Sequence, residues 1–174
     1  MAKSKSPRKA YRPRQISNDM ANKIVYSRLF RSSMQPISGE QITALITPFR
    51  AQIEALRLAK TDLDGWTRLN EMNLFSFELA SRIFHSTNDE EARRQIEPSQ
   101  KVFEAAAEAL FQIGKRFRVR NKFIATGDEL HVIRESSIWL NELLAIAPEG
   151  LALTALMKAE QDVRDYWRRG EKAA

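Results

Sequence analysis

The sequence predicts an all-α protein: a single-domain bundle of five or six helices carrying a disordered, basic N-terminal arm. Three observations lead there. Apolar residues recur at helical steps through most of the chain, behind residue groups of the kind that cap helix N-termini. Only six Gly and six Pro occur in 174 residues, mostly between those segments, which leaves little material for β-hairpins. A hydrophobic content of 43% at this length suits one core, and the chain is too short for two ordinary domains.

Residues 1–16 contain Pro7, Pro13 and only Tyr11 and Ile16 as sizeable apolar groups, too little burial to offset the entropy of ordering. Order is expected from Ser17-Asn18-Asp19, which would cap a first helix through about Ser32 with Ile24, Val25, Leu29 and Phe30 on its apolar face. Pro36 and Gly39 mark a turn. Ser38-Gly-Glu-Gln41 has the form of a capping box and leads into Ile42, Leu45, Ile46, Phe49, Ile53 and Leu56; Pro48 either bends this helix or splits it. Thr61-Asp62 restarts the pattern, with Trp66, Leu69, Met72, Asn73, Phe75, Leu79, Ala80 and Ile83 on one broad face. Thr87-Asn-Asp-Glu90 reads as another capping box, ahead of a helix in which Pro98 is a kink or a break and Val102, Phe103, Ala106, Leu110, Phe111 and Ile113 face inward.

From Phe117 to Ala125 the pattern changes to a period of two, which suggests an extended connection or a very short strand, with helix as the alternative up to Asn121. Thr126-Gly-Asp-Glu129 is a further capping box, opening a helix with Leu130, Ile133, Ile138, Leu140, Leu143, Leu144 and Ile146. Pro148-Glu-Gly starts the last helix, where Leu151, Leu153, Leu156, Met157, Val163 and Tyr166 are expected inward as far as Gly170. The domain is thus read as residues 17–170, with 171–174 as a tail. No internal repeat of solenoid length is present.

The net charge of +6 is carried by one segment. Lys3, Lys5, Arg8, Lys9, Arg12 and Arg14 have no acid among them, and all the Asp and Glu come later, so the body after residue 18 is formally neutral. A basic arm on a balanced domain is a different object from a basic domain. Cys is absent, which excludes disulfides, thiolate metal sites and a cysteine nucleophile. No signal-peptide-like apolar run follows the positive N-terminus, and no stretch approaches the roughly 18 apolar residues of a membrane span. A cytoplasmic protein without membrane contact is the expectation.

No arrangement of residues points to catalysis. His85 and His131 each stand alone, without a partner at the spacing that places two metal ligands on one helical face. Gly114-Lys115 lacks the surroundings of a phosphate loop, no Gly-x-Ser-x-Gly elbow occurs, and Asp89-Glu90-Glu91 suits a helix N-terminus. No metal, cofactor or catalytic residue is therefore assigned.

Two segments suit binding. The arm, Lys3, Lys5, Arg8, Lys9, Arg12 and Arg14 with Tyr11 as a stacking group, can meet phosphates without a shaped pocket, and an acidic protein surface would suit the same cations. The second segment is Lys115, Arg116, Arg118, Arg120 and Lys122, interleaved with Phe117 and Phe123. If extended, it projects Arg116, Arg118, Arg120 and Lys122 to one side as a stripe along a phosphate backbone, while Phe117, Val119 and Phe123 anchor the other. If helical, its cations complement a helix C-terminus and pair with acids. Near the chain end, Asp165-Tyr166-Trp167-Arg168-Arg169 also sets aromatics beside cations, with Trp167 closing the bundle as the simpler reading.

Tyr11-Arg12-Pro13-Arg14, Ala55-Leu56, Asp64-Gly-Trp-Thr-Arg-Leu69 with Asn73, Thr126-Gly-Asp-Glu-Leu130 with Ile133, and the stretch from Leu151 to Val163 together resemble a family of short all-helical proteins of proteobacterial prophages, plasmids and integrated elements. The resemblance spans most of the chain, and the charge-rich stretch from Ser86 to Pro98 departs from it. It brings no catalytic residue with it. It implies a genetic context in which small accessory proteins manage nucleic acid or block a host factor.

The expectation is a non-enzymatic nucleic-acid-associated protein that contacts phosphates through its arm and basic stripe. The rival is a protein-binding inhibitor or adaptor acting on a host defence or transcription complex. A structural subunit that oligomerises through spare helical faces stands third, and an enzyme last.

Overall fold

Five helices follow one another in the computed structural model, which describes residues 35–173 and side chains as far as Tyr166: α1 (Gly39–Arg57), α2 (Leu63–Ser86), α3 (Glu90–Arg120), α4 (Gly127–Ile146) and α5 (Glu149–Ala173). The architecture is the all-α bundle expected, and among the described residues there is no strand, only an antiparallel bridge between Pro36 and Pro148. The arm over 1–16 and the helix expected over 17–32 lie outside the described residues.

Local sequence explains most helix starts. Ser38 and Gln41 form a reciprocal capping box at α1, and Thr126 and Glu129 form another at α4. Each satisfies two backbone N–H groups that would otherwise lack partners. Asp62 caps α2 by accepting a hydrogen bond from the Gly65 N–H at 2.7 Å. The box expected at Thr87 does not form. The Thr87 N–H still donates to the Ile83 carbonyl to close α2, so the cap of α3 moves two residues on to Asp89, which accepts from the Glu91 N–H.

Pro48 and Pro98 each sit inside one continuous helix. Both are exposed, as are Ala44 and Arg94, whose carbonyls a proline four residues on leaves without an amide donor. Those carbonyls face water, where the loss is tolerated. Helix α3 continues to Arg120 and ends at Asn121, which takes the left-handed conformation (φ 52°) that an asparagine accepts more readily than most residues. The extended reading of residues 117–120 is thereby overturned. Helix α5 runs to Ala173, past the expected end at Gly170.

Helix α2 is the hub, packing against α1, α3, α4 and α5. Its expected face is the buried one: Leu69, Phe75, Leu79 and Ala80 are fully buried, joined by Phe49 and Ile53 from α1, Phe103 and Leu110 from α3, and Ile133 and Leu140 from α4. Asn73 lies within this core and donates from Nδ2 to the Phe103 carbonyl at 3.0 Å, tying α2 to α3. Its Oδ1 has no partner among the described residues.

The inward face of α5 differs from expectation. As far as Tyr166, its buried positions are Gly150, Ala152, Ala155 and Ala159, while Leu151 and Leu156 are half-buried flanks and Tyr166 is 61% exposed. Small side chains at helical spacing let α5 lie close against α2, and the leucines close the seam on either side. Phe111, Ile138 and Ile146, expected inward, are more than half exposed.

Because Ala155 is completely buried, Ala155→Leu should overpack the α2–α5 seam and cost about 1–3 kcal/mol. Urea denaturation would show this as a lower midpoint, whereas Leu153→Ala on the half-exposed flank should cost less.

Candidate nucleic-acid interface

The candidate interface forms where α3 ends, beside the start of α2. Past Asn121 the chain turns back and inserts Phe123, which is 2% exposed. Its ring lies parallel to Phe117 (centroids 4.1 Å apart, 6° between planes) and nearly parallel to Trp66 (5.7 Å, 15°). Phe117 and Phe123 are therefore apolar because they stack on each other across a helix end. The Trp66 Nε1–H points to the Leu110 carbonyl at 3.4 Å. Gly114 makes room for the indole, since a Cβ there would lie 2.9 Å from Trp66 Cζ2.

These rings border an open pocket of about 270 Å³, lined by Leu63, Trp66, Phe111, Gly114, Phe117 and Tyr166 among others, with Lys115 and Arg118 in its wall. Phe111, Gly114, Lys115 and Arg118 fall at steps of three and four on one face of α3. Phe111 is 54% exposed, and the Lys115 ammonium sits 4.5 Å from its ring centroid, a cation–π contact.

The five cations expected to act as one stripe divide into separate roles. Helical geometry sends Arg118 to a different side from Arg116 and Arg120, so four cations do not project together. Arg116 is structural: its Nε donates to the Ile124 carbonyl at 3.1 Å and its guanidinium pairs with the Glu129 carboxylate. Lys115 and Arg118 belong to the pocket. Arg118, Arg120 and Lys122 are exposed and have no acidic partner among the described residues. Lys3, Lys5, Arg8, Lys9, Tyr11, Arg12 and Arg14 lie outside the described residues, as do the side chains from Trp167 onward.

Glu129 joins several elements at once. One of its oxygens accepts from Arg116 and from the Thr126 N–H at 2.7 Å, so the α4 cap and the end of α3 share a carboxylate. Burial pushes the Glu129 carboxyl up, but the Arg116 and Thr126 hydrogen bonds outweigh it and hold the group below its ordinary range.

Elsewhere, Asp89 serves as a cap, Glu90 lies 3.7 Å from Arg94, and His85 meets the Phe84 ring edge-on. Among the described residues no cluster of three or more His, Asp or Glu could hold a metal ion, and no helix is long and apolar enough to cross a membrane. The cations of the site are legible in the sequence, and Tyr166 stands there both in the expected inward face of the last helix and in a group that sets aromatics beside cations, whereas Phe111 is expected inward and Leu63 carries no assignment. The available signal was Phe111-x-x-Gly-Lys-x-x-Arg118, an aromatic and two cations at helical spacing on one side of the helix.

Two outcomes follow from this geometry. Gly114→Ala gains about 1 kcal/mol of helix propensity but drives a methyl into a rigid, stacked indole at about 1–3 kcal/mol; a net loss of stability with altered tryptophan fluorescence is expected. The Glu129 carboxyl is depressed in the fold, so its contribution is complete above the ordinary value of 4.5 and is lost as pH falls through the lower folded value. Thermal melts from pH 7 to 3 should show Glu129→Gln with a shallower acid-side loss than the unsubstituted protein.

Comparison with protein families, with curated proteins and with solved structures gives no match to this chain.

Proposed function

We propose that the protein is a non-enzymatic nucleic-acid-associated binder, contacting phosphates through Lys3, Lys5, Arg8, Lys9, Arg12 and Arg14 of the arm and through the cations at the end of α3. The observation that carries this reading is the exposed group Arg118, Arg120 and Lys122, which has no acidic partner among the described residues and adjoins an aromatic-lined pocket. Among the described residues, most of the other cations belong to intramolecular pairs, such as Arg57 with Glu54 and Arg82 with Glu78. Cations without acidic partners remain available to phosphate, and each contact releases counterions.

The dipole of α3 argues for the importance of those side chains. A helix C-terminus carries partial negative charge and repels phosphate, so attraction at this end has to come from Lys and Arg. The resemblance to proteins of prophages, plasmids and integrated elements agrees with a role on nucleic acid, and the protein is proposed to belong to such an element and to act in the cytoplasm.

A second reading, a protein-binding inhibitor or adaptor, is favoured by Val119, which is 86% exposed beside the same cations. An apolar group at that position suits a protein contact better than a phosphate backbone.

Both readings are tested with duplex and single-stranded probes across a salt series. Deleting residues 1–16 should weaken binding and lower the log–log salt slope by up to about five, with no change in melting temperature. Replacing Arg118, Arg120 and Lys122 by Gln should lower the slope by about two to three. Unchanged affinity in both variants removes the phosphate reading, and a host protein retained from lysate after nuclease treatment supports the second.

A further inference from the structure

We infer that the pocket at the end of α3 receives a single unpaired nucleobase, which makes the protein a single-strand binder. This rests on the nucleic-acid reading above and adds to it a ligand class for one site. At about 270 Å³ the pocket lies just below the roughly 300–1,000 Å³ of sites for drug-sized ligands. It therefore has room for one planar ring system. Its walls suit such a ring: Phe111 and Tyr166 are both more than half exposed, and Trp66 and Phe117 border the same space.

Gly114 has no side chain, so the Trp66 indole lies directly against α3 there and forms one wall of the pocket. Trp66 is in turn held parallel to Phe123, so this wall is fixed before any ligand arrives. Lys115 already rests on the Phe111 ring, and Arg118 stands in the same wall. A base stacked on Phe111 would thus have cations within reach of its own phosphate. Stacking platforms flanked by cations bind single strands with little sequence preference, because every base presents a π-face. In a duplex the faces are covered by neighbouring base pairs, and entry would require extruding a nucleotide.

The full-length protein is titrated, with anisotropy as the readout, against three labelled probes: a thymidine oligonucleotide, a strand of equal length with abasic sites in place of the bases, and a duplex. The base-bearing strand should bind on the order of tenfold more tightly than the abasic strand, and more tightly than the duplex. Phe111→Ala should reduce affinity for the base-bearing strand to that of the abasic strand while leaving the salt slope and melting temperature unchanged, and Phe111→Tyr should retain the affinity. Equal binding of base-bearing and abasic strands, a preference for duplex, or an unaffected Phe111→Ala variant overturns the base pocket and leaves the phosphate reading standing. No binding of any probe at low salt overturns both.

Discussion

Contact of α2 with all four other helices is the constraint on which the remaining structure depends. A helix that packs against four neighbours leaves them few arrangements, and two of its seams are specified in different ways. Against α3, the Asn73 side chain reaches the Phe103 carbonyl and Trp66 enters the gap at Gly114. Against α5, three alanines permit close approach. Among the described residues Asn73 Oδ1 has no partner, at a cost of about 1–3 kcal/mol for a buried polar atom. A tie between two particular backbone positions gives the seam a register that apolar packing alone specifies weakly.

Much of this was legible in the sequence. The apolar face of α2 and the capping boxes at Ser38 and Thr126 were read directly, because helical periodicity and cap chemistry are local. The misreadings came from interactions that are not local. Leu153, Met157 and Tyr166 suit an inward face by size and spacing, whereas the close seam with α2 is made by Ala152, Ala155 and Ala159. Thr87 met the pattern of a capping box, yet its amide was still engaged in closing the preceding helix. The alternation after Phe117 resembled a strand because Phe123 is apolar for a partner six residues back, across a turn.

The site shows the same division. Its cations are neighbours in sequence and were visible as a cluster. Its walls come from the start of α2, the last turns of α3, the loop after it and the far end of α5, so no window of sequence contains the pocket. Arg116 illustrates how a charge can be read correctly as important and wrongly as available. It lies among exposed cations, but its hydrogen bonds hold the returning loop and the first turn of α4 in place, and so keep Phe123 beneath the aromatic wall.

The bridge between Pro36 and Pro148 fixes where the described chain joins the bundle. Through it, with the Glu149 N–H donating to the Gln35 carbonyl and Gln41 donating to the Glu149 side chain, the chain enters the bundle at the beginning of α5. The pocket residue Tyr166 lies 17 positions further along that helix, about 25 Å away at 1.5 Å per residue. The described chain therefore enters the bundle near one end of α5, and the aromatic pocket lies toward the other. The pocket side chain of Tyr166 thus lies about five helical turns from the point where Gln35 is held, so the hydrogen bonds at Glu149 can be broken without removing a side chain from the pocket wall.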